Sequence, residues 1–286
     1  MLNRSAKYYF YCILGAVLIG TVGIWIKLIG DSIHPMIVGF YRLFFACVTL
    51  AIVTPLIDKK ALKIEKKNLG MYAIVGALIA ISYTLTNVAF LLSPVSKVAL
   101  LYILTPFSAV TFAALFLKEK LDSTKITALI IAMFALAFMS PFGDGNPWGY
   151  FIRLIVVLLD GIIITFMRRF AIENTIANVP WFFFFATLFM SPFLFFYAAA
   201  PPSVPVLLLG IVATGFGYLF LNLGLQKIEA GVGSILLVIV LPITAIILAT
   251  IVLGEVVTFQ MALVGMQLAV AAIYLIYQRF ATPERV

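Results

Sequence analysis

The sequence predicts an all-α integral membrane protein of ten transmembrane helices, arranged as two inverted five-helix repeats. Three observations predict it. Apolar runs of about 20 residues, the length that crosses a bilayer core, succeed one another along the 286-residue chain. Lys and Arg gather in alternate connections between those runs. The first half of the chain also matches the second when shifted by 136 residues. With 64% apolar and 10% charged side chains, the chain has too little polar surface to clothe a water-soluble globule. Its net charge of +8 is not gathered on one face, so it reads as a topology signal rather than a nucleic-acid footprint.

The first run, α1 (8–29), follows Arg4 and Lys7 as a signal peptide would. It is too long for a signal core and has no small-residue cleavage site after it, so it is read as a spanning helix. The breaker Asp31-Ser-Ile-His-Pro35 separates it from α2 (36–57), and a Lys-rich stretch leads to α3 (69–91). Next come α4 (94–117), α5 (126–142) and, beyond Gly143-Asp-Gly-Asn-Pro147, α6 (149–169). The last four are α7 (178–199), α8 (204–226) after Pro201-Pro-Ser-Val-Pro205, α9 (231–253), and α10 (257–280) beyond Gly254-Glu255. The runs show none of the strict alternation that a membrane barrel needs, which leaves helices to satisfy the backbone in lipid.

Orientation follows from the basic residues. Fifteen of the nineteen fall on one side: Arg4, Lys7, Lys59, Lys60, Lys63, Lys66, Lys67, Lys118, Lys120, Lys125, Arg168, Arg169, Lys227, Arg279 and Arg285. The positive-inside rule then places both termini in the cytoplasm and the chain in the cell membrane. Lys27, Arg42, Lys97 and Arg153 lie in helices; Lys27, Lys97 and Arg153 are expected near outer helix ends, snorkelling or charging a mouth.

Under the 136-residue shift, Leu100-Leu-Tyr-Ile-Leu-Thr-Pro106 meets Leu236-Leu-Val-Ile-Val-Leu-Pro242, and Glu119 meets Glu255. A Pro and a Glu thirteen residues apart in both copies mark a duplication, with repeats over 1–142 and 143–286. Each half has an odd number of helices, so the second enters the membrane from the opposite side. Pro106 and Pro242 fall near mid-membrane, and each removes a backbone donor. The carbonyls around Tyr102 and Val238 are expected to lose their partners and to be covered by protein or to face a cavity. Either the prolines are architectural kinks or they are bending points for gating.

The motifs Leu104-Thr-Pro106 with Leu115-Phe-Leu-Lys-Glu119, Val240-Leu-Pro242 with Leu253-Gly-Glu255, Tyr218-Leu-Phe-Leu-Asn222 before Ala230-Gly231, and Pro35 followed by Arg42 resemble the drug/metabolite transporter superfamily, EamA type. The likeness covers nearly the whole chain; Gly23-Ile-Trp25 departs from the adjacent Trp-Gly that such proteins often carry in α1. The resemblance implies a cavity enclosed by α1–α4 and α6–α9, with α5 and α10 peripheral, and export or exchange of small metabolites such as amino acids.

Asp160 is the one acid deep in a helix, where a carboxylate costs about 2.5–3.5 kcal/mol to insert and must face the bundle interior. It reads as a counter-ion for a cationic group or a proton site, or else as one half of a fixed pair. Arg42, seven residues into α2, reads as a bidentate grip for a carboxylate, as a partner locking Asp160, or as a structural arginine. Tyr83, Thr86, Asn87, Tyr218 and Asn222 give α3 and α8 polar faces at matching depth, with Ser82 set against Tyr218 by the shift. Such faces line a cavity or bind helices together. Tyr102 joins them, and Trp25, Tyr41 and Trp181 are further aromatic candidates, while Phe182–Phe185 reads as packing or lipid-facing bulk. Glu119 and Glu255 are expected to complement the dipoles of α5 and α10.

Cys12 and Cys47 sit in apolar runs without metal-ligand spacing and read as small hydrophobes. His34, the single histidine, is placed in an outer loop and expected to be solvated. These features indicate no metal, no cofactor and no catalytic residues. An intramembrane enzyme lacks a buried histidine, a carboxylate pair or an HExxH; a channel lacks a filter loop or charge ring; ATP drive lacks a Walker A. The reading is a secondary transporter of small metabolites working by alternating access, with amino acids or similar zwitterions as substrate and larger charged metabolites or lipophilic cationic drugs as the alternative. The proton is a candidate coupling ion, the bilayer is the other partner, and the assembly is a monomer or homodimer.

Overall fold

A computed structural model describes residues 2–59, 62, 66–118, 126–127, 130, 145–174, 178–198, 200–228 and 230–256, with positions 258, 259, 263, 266, 267 and 270 beyond. Every regular element among the described residues is helical, and eight stretches are long and apolar enough to cross a membrane. They are α1 at Ala6–Ser32, α2 at Pro35–Ile57, α3 at Leu69–Leu92, α4 at Val95–Leu117, α6 at Pro147–Met167, α7 at Val179–Phe196, α8 at Val204–Leu225 and α9, whose helix is Ala230–Leu253. The expected α5 and α10 lie almost wholly outside the described residues, as does Glu119.

The bundle is built from close pairs that repeat between the halves. α1 packs on α8 as α6 packs on α3, α2 on α8 as α7 on α3, and α1 on α9 as α6 on α4. Glycine makes the closest crossings: a Cβ on Gly15 of α1 would stand 2.8 Å from the Gly217 carbonyl oxygen of α8. Without a hydrophobic drive between helices in lipid, backbone approach of this kind supplies the van der Waals contact that holds them. The duplication is visible in backbone conformation too. α4 and α9 both stop at a left-handed residue, Lys118 (φ 56°) and Gly254 (φ 67°), which are 136 residues apart.

Not every helix is uniform. α4 runs as an α-helix at Val95–Leu100, tightens to a 3-10 turn at Leu101–Leu104, and resumes at Thr105–Leu117 with Pro106 in the first turn. The expectation of a partnerless carbonyl at Tyr102 is therefore corrected: it accepts from the Thr105 amide in the tightened turn. α9 instead keeps one continuous helix with Pro242 inside it, so the two prolines do not act alike on the backbone. α8 contains a π-helical stretch at Leu209–Phe216, a widening that inserts an extra residue per turn and is enriched at functional sites.

His34 is exposed, as a loop histidine should be, but it is not merely solvated. Its Nδ1 accepts from the Met36 amide at 3.3 Å, capping α2, and its ring stacks on Tyr197 with centroids 3.7 Å apart.

Candidate functional site

Midway along the bundle, α2, α3, α4, α6 and α8 converge on three buried charges. Arg42 is 2% exposed, Arg153 0% and Asp160 7%. They form two clusters, and α3 contributes to both.

The first cluster surrounds Arg42. Its Nε donates to Thr214 Oγ1 at 2.9 Å and its Nη1 to Asn87 Oδ1 at 3.1 Å. The guanidinium carbon lies 4.2 Å from the centroid of Tyr83, a cation–π placement worth about 2 kcal/mol when desolvated. Thr214 occupies the π-helical stretch of α8, where its hydroxyl also donates to the Leu209 carbonyl at 2.8 Å. Close approach makes this reach short: a Cβ on Gly210 would be 3.1 Å from the Arg42 carbonyl oxygen. Tyr83 packs on Tyr218 with centroids 5.5 Å apart, and Phe183 of α7 packs edge-on against Tyr218 at 5.7 Å. Phe183 thus packs as buried bulk beside the centre, while Phe184 faces outward, the two roles expected of the Phe182–Phe185 run.

The second cluster surrounds Asp160. Arg153 and Asp160 lie seven residues apart, two turns along one face of α6, and Arg153 Nη2 meets Asp160 Oδ2 at 3.1 Å. Ser82 Oγ donates to Asp160 Oδ1 at 2.7 Å. The Arg153 guanidinium stacks over the Tyr102 ring at 3.2 Å, and its Nη1 lies 3.5 Å from Thr86 Oγ1. Two expectations are corrected. Arg153 does not snorkel to an outer end: the acid two turns away and the Tyr102 face hold it inside, where an unpaired guanidinium would be costly. Arg42 does not lock Asp160, because Arg153 holds that carboxylate.

Between the clusters is a small cavity, with room for about one water, lined by residues that include Tyr102, Thr105, Asp160, Tyr218 and Leu221. Several buried polar atoms of these helices have no partner, among them Thr105 Oγ1 on the cavity wall, and Asn87 Nδ2, Arg153 Nε and Asn222 Oδ1 of residues that do not line it. Buried polar groups are nearly always satisfied, so these atoms leave hydrogen-bonding capacity to spare inside the bundle.

Of the residues singled out from sequence, Arg42, Tyr83, Asn87 and Tyr218 come together in one cluster, Thr86, Tyr102 and Asp160 in the other, and Asn222 lies buried one residue from the cavity-lining Leu221. Trp25 and Tyr41 turn elsewhere: Trp25 Nε1 donates to Thr21 on its own helix, and the Tyr41 hydroxyl donates to the Ala200 carbonyl. Sequence reasoning missed Arg153, Thr214 and Thr105. The seven-residue spacing of Arg153 and Asp160 was a legible signal for the first; nothing in the sequence announces the π-helical stretch that delivers Thr214.

At the bundle end where α3 meets α4, Glu255 bridges the halves. Its carboxylate accepts from the Val95 and Ser96 amides at 3.0 and 3.1 Å and from the Ser96 hydroxyl at 2.6 Å. The helix start that Glu255 is seen to cap is that of α4, while the expected start of α10 lies outside the described residues. Lys27 lies near, its Nζ donating to the Leu91 carbonyl at 3.2 Å.

The sequence matches the EamA-like transporter family twice, over residues 6–140 and 147–278. An uncharacterized transporter of Bacillus subtilis (strain 168), YoaV, is 24% identical over 246 residues, covering 81% of this chain and 84% of that protein. An uncharacterized transporter of Archaeoglobus fulgidus is 24% identical over 188 residues, 62% of this chain and 65% of its own. A solved crystal structure shares the fold at a TM-score of 0.74 and 15% identity, over 97% of this chain and 99% of that one. With two matched copies spanning nearly its full length and eight membrane-crossing helices described, this multi-pass membrane protein belongs to the EamA-like transporter family.

Proposed function

We propose that the chain is a secondary transporter of amino acids and similar zwitterions, an exporter or exchanger that works by alternating access around the central cavity. One observation carries the reading. Arg42, buried inside the bundle, is held by neutral groups only among the described residues, Thr214, Asn87 and the Tyr83 face, so its charge is positioned but not neutralised. A guanidinium so placed is suited to a carboxylate, which it grips through two parallel N–H donors. Net positive charge at the centre also argues against lipophilic cations as the cargo.

The paired helix contacts of the two halves support inverted repeats of about residues 1–142 and 143–286, rocking against each other with both termini in the cytoplasm. The narrow cavity is consistent with a closed state, in which α1, α4, α8 and α9 must part to admit a ligand. Pro106, with the tightened turn before it, is the natural bending point of α4. Asp160 is the candidate proton or ammonium site.

Uptake of labelled amino acids into liposomes containing the purified protein, with and without a pH gradient, tests the reading. Saturable flux that Arg42→Ala lowers by tenfold or more supports it. Absence of flux from folded protein across an amino-acid panel would sink it. Proton coupling at Asp160 is a separate question: it fails if Asp160→Asn keeps full flux with the same dependence on the gradient.

A further inference from the structure

We infer that the preferred substrate is an α-amino dicarboxylic acid of the size of aspartate or glutamate, a reading that rests on the transporter function above. Among the described residues the buried charged side chains are Arg42, Arg153 and Asp160; Lys27 and Lys97 stand towards helix ends. The empty centre therefore carries two positive charges and one negative. A neutral zwitterion leaves one guanidinium uncompensated, and a plain dicarboxylate leaves Asp160 facing added negative charge. A molecule with two carboxylates and one ammonium complements all three.

The geometry provides a corner for each group. At Arg42, the neighbouring Asn87 Nδ2 is a buried donor without a partner, so guanidinium and amide together can take one carboxylate. At Arg153, Nε is likewise buried and unpartnered although Nη2 is engaged by Asp160, so this second guanidinium has a donor to spare. The two corners are set by one helix: Ser82 and Thr86 of α3 touch the Asp160–Arg153 pair and Asn87 touches Arg42. Five residues of helix rise about 7.5 Å, so the α3 residues serving the two corners lie within two turns of each other along one helix.

The ammonium falls to the acceptors. Asp160 lines the cavity, Thr105 Oγ1 on its wall has no partner, and Asn222 Oδ1 beside Leu221 has none either. On binding, Asp160 exchanges Arg153 for the ammonium, and Arg153 turns to the second carboxylate. The Arg153–Asp160 pair of the empty protein is then a self-neutralising placeholder for the ligand's own pair of charges. No covalent step is involved.

Competition against labelled glutamate in counterflow, using the wild-type protein in liposomes, decides the matter. Aspartate and unlabelled glutamate are expected to compete at concentrations at least tenfold below those needed for glutamine, alanine or succinate. In Arg153→Gln, the discrimination of glutamate from glutamine is expected to collapse to within a few fold. If glutamine or alanine competes as well as aspartate with the wild type, the inference is overturned while the transporter reading stands. Succinate equal to glutamate overturns it too, because the ammonium would then have no role. No counterflow of any amino acid from folded protein overturns both.

Discussion

Asp160 and Arg153 depend on each other more than on anything else at the centre. Buried pairs are costly to form and costlier to break, because a lone charge keeps its desolvation penalty. Asp160→Asn, which leaves Arg153 stacked on Tyr102 without its carboxylate, is expected to destabilise the protein by about 3–5 kcal/mol, measured as a lowered thermal unfolding midpoint in detergent. Replacing both partners by apolar residues of similar volume, as in Arg153→Met with Asp160→Leu, is expected to recover most of that loss while abolishing transport. Asp160 and Arg42 were legible in the sequence because a charge in an apolar run is conspicuous. Arg153 was misread because depth was judged by distance from a helix end, while the partner two turns away was not weighed. Thr214 was invisible, since its placement depends on a backbone widening that no residue pattern encodes.

At the scale of the element, helix positions were legible because hydropathy and breakers determine them within a few residues. What the sequence did not reveal was how each helix resolves its proline. α4 tightens and restarts at Thr105–Pro106, whereas α9 carries Pro242 through a continuous helix. Pro106→Ala restores a backbone donor where the break occurs and is expected to slow transport several-fold with ligand competition little changed; Pro242→Ala is expected to do less. Uptake rates set beside competition constants separate the two. If both variants move as fast as the parent, the prolines are architecture alone. The C-terminal stop of α4 offers a cleaner test. Lys118 holds a left-handed conformation that costs a residue with a Cβ about 1–2 kcal/mol, and the corresponding position in the second half is Gly254. Lys118→Gly is expected to raise stability by about 1 kcal/mol, read from the same unfolding midpoint.

Across the whole molecule, the halves are joined at one mouth by Glu255, which reaches from the end of α9 to the start of α4. The alternating access proposed above requires that mouth to open, so Glu255→Ala is expected to raise the labelling rate of a cysteine placed at Val95, which keeps its backbone donor, by several-fold; an unchanged rate would mean the mouth is held shut by packing alone. The central charges have an electrical consequence as well. Arg42, Arg153 and Asp160 together leave the vacant bundle with one net positive charge in its interior. A transmembrane voltage acts on such a charge with about 2.3 kcal/mol per 100 mV over the full field. A centre occupied by a ligand of opposite net charge is electrically silent. On the alternating-access cycle proposed above, with a ligand of net charge −1, the membrane potential bears on the unloaded stroke and leaves the loaded one alone, which ties the resetting of the empty carrier to the polarity of the cell.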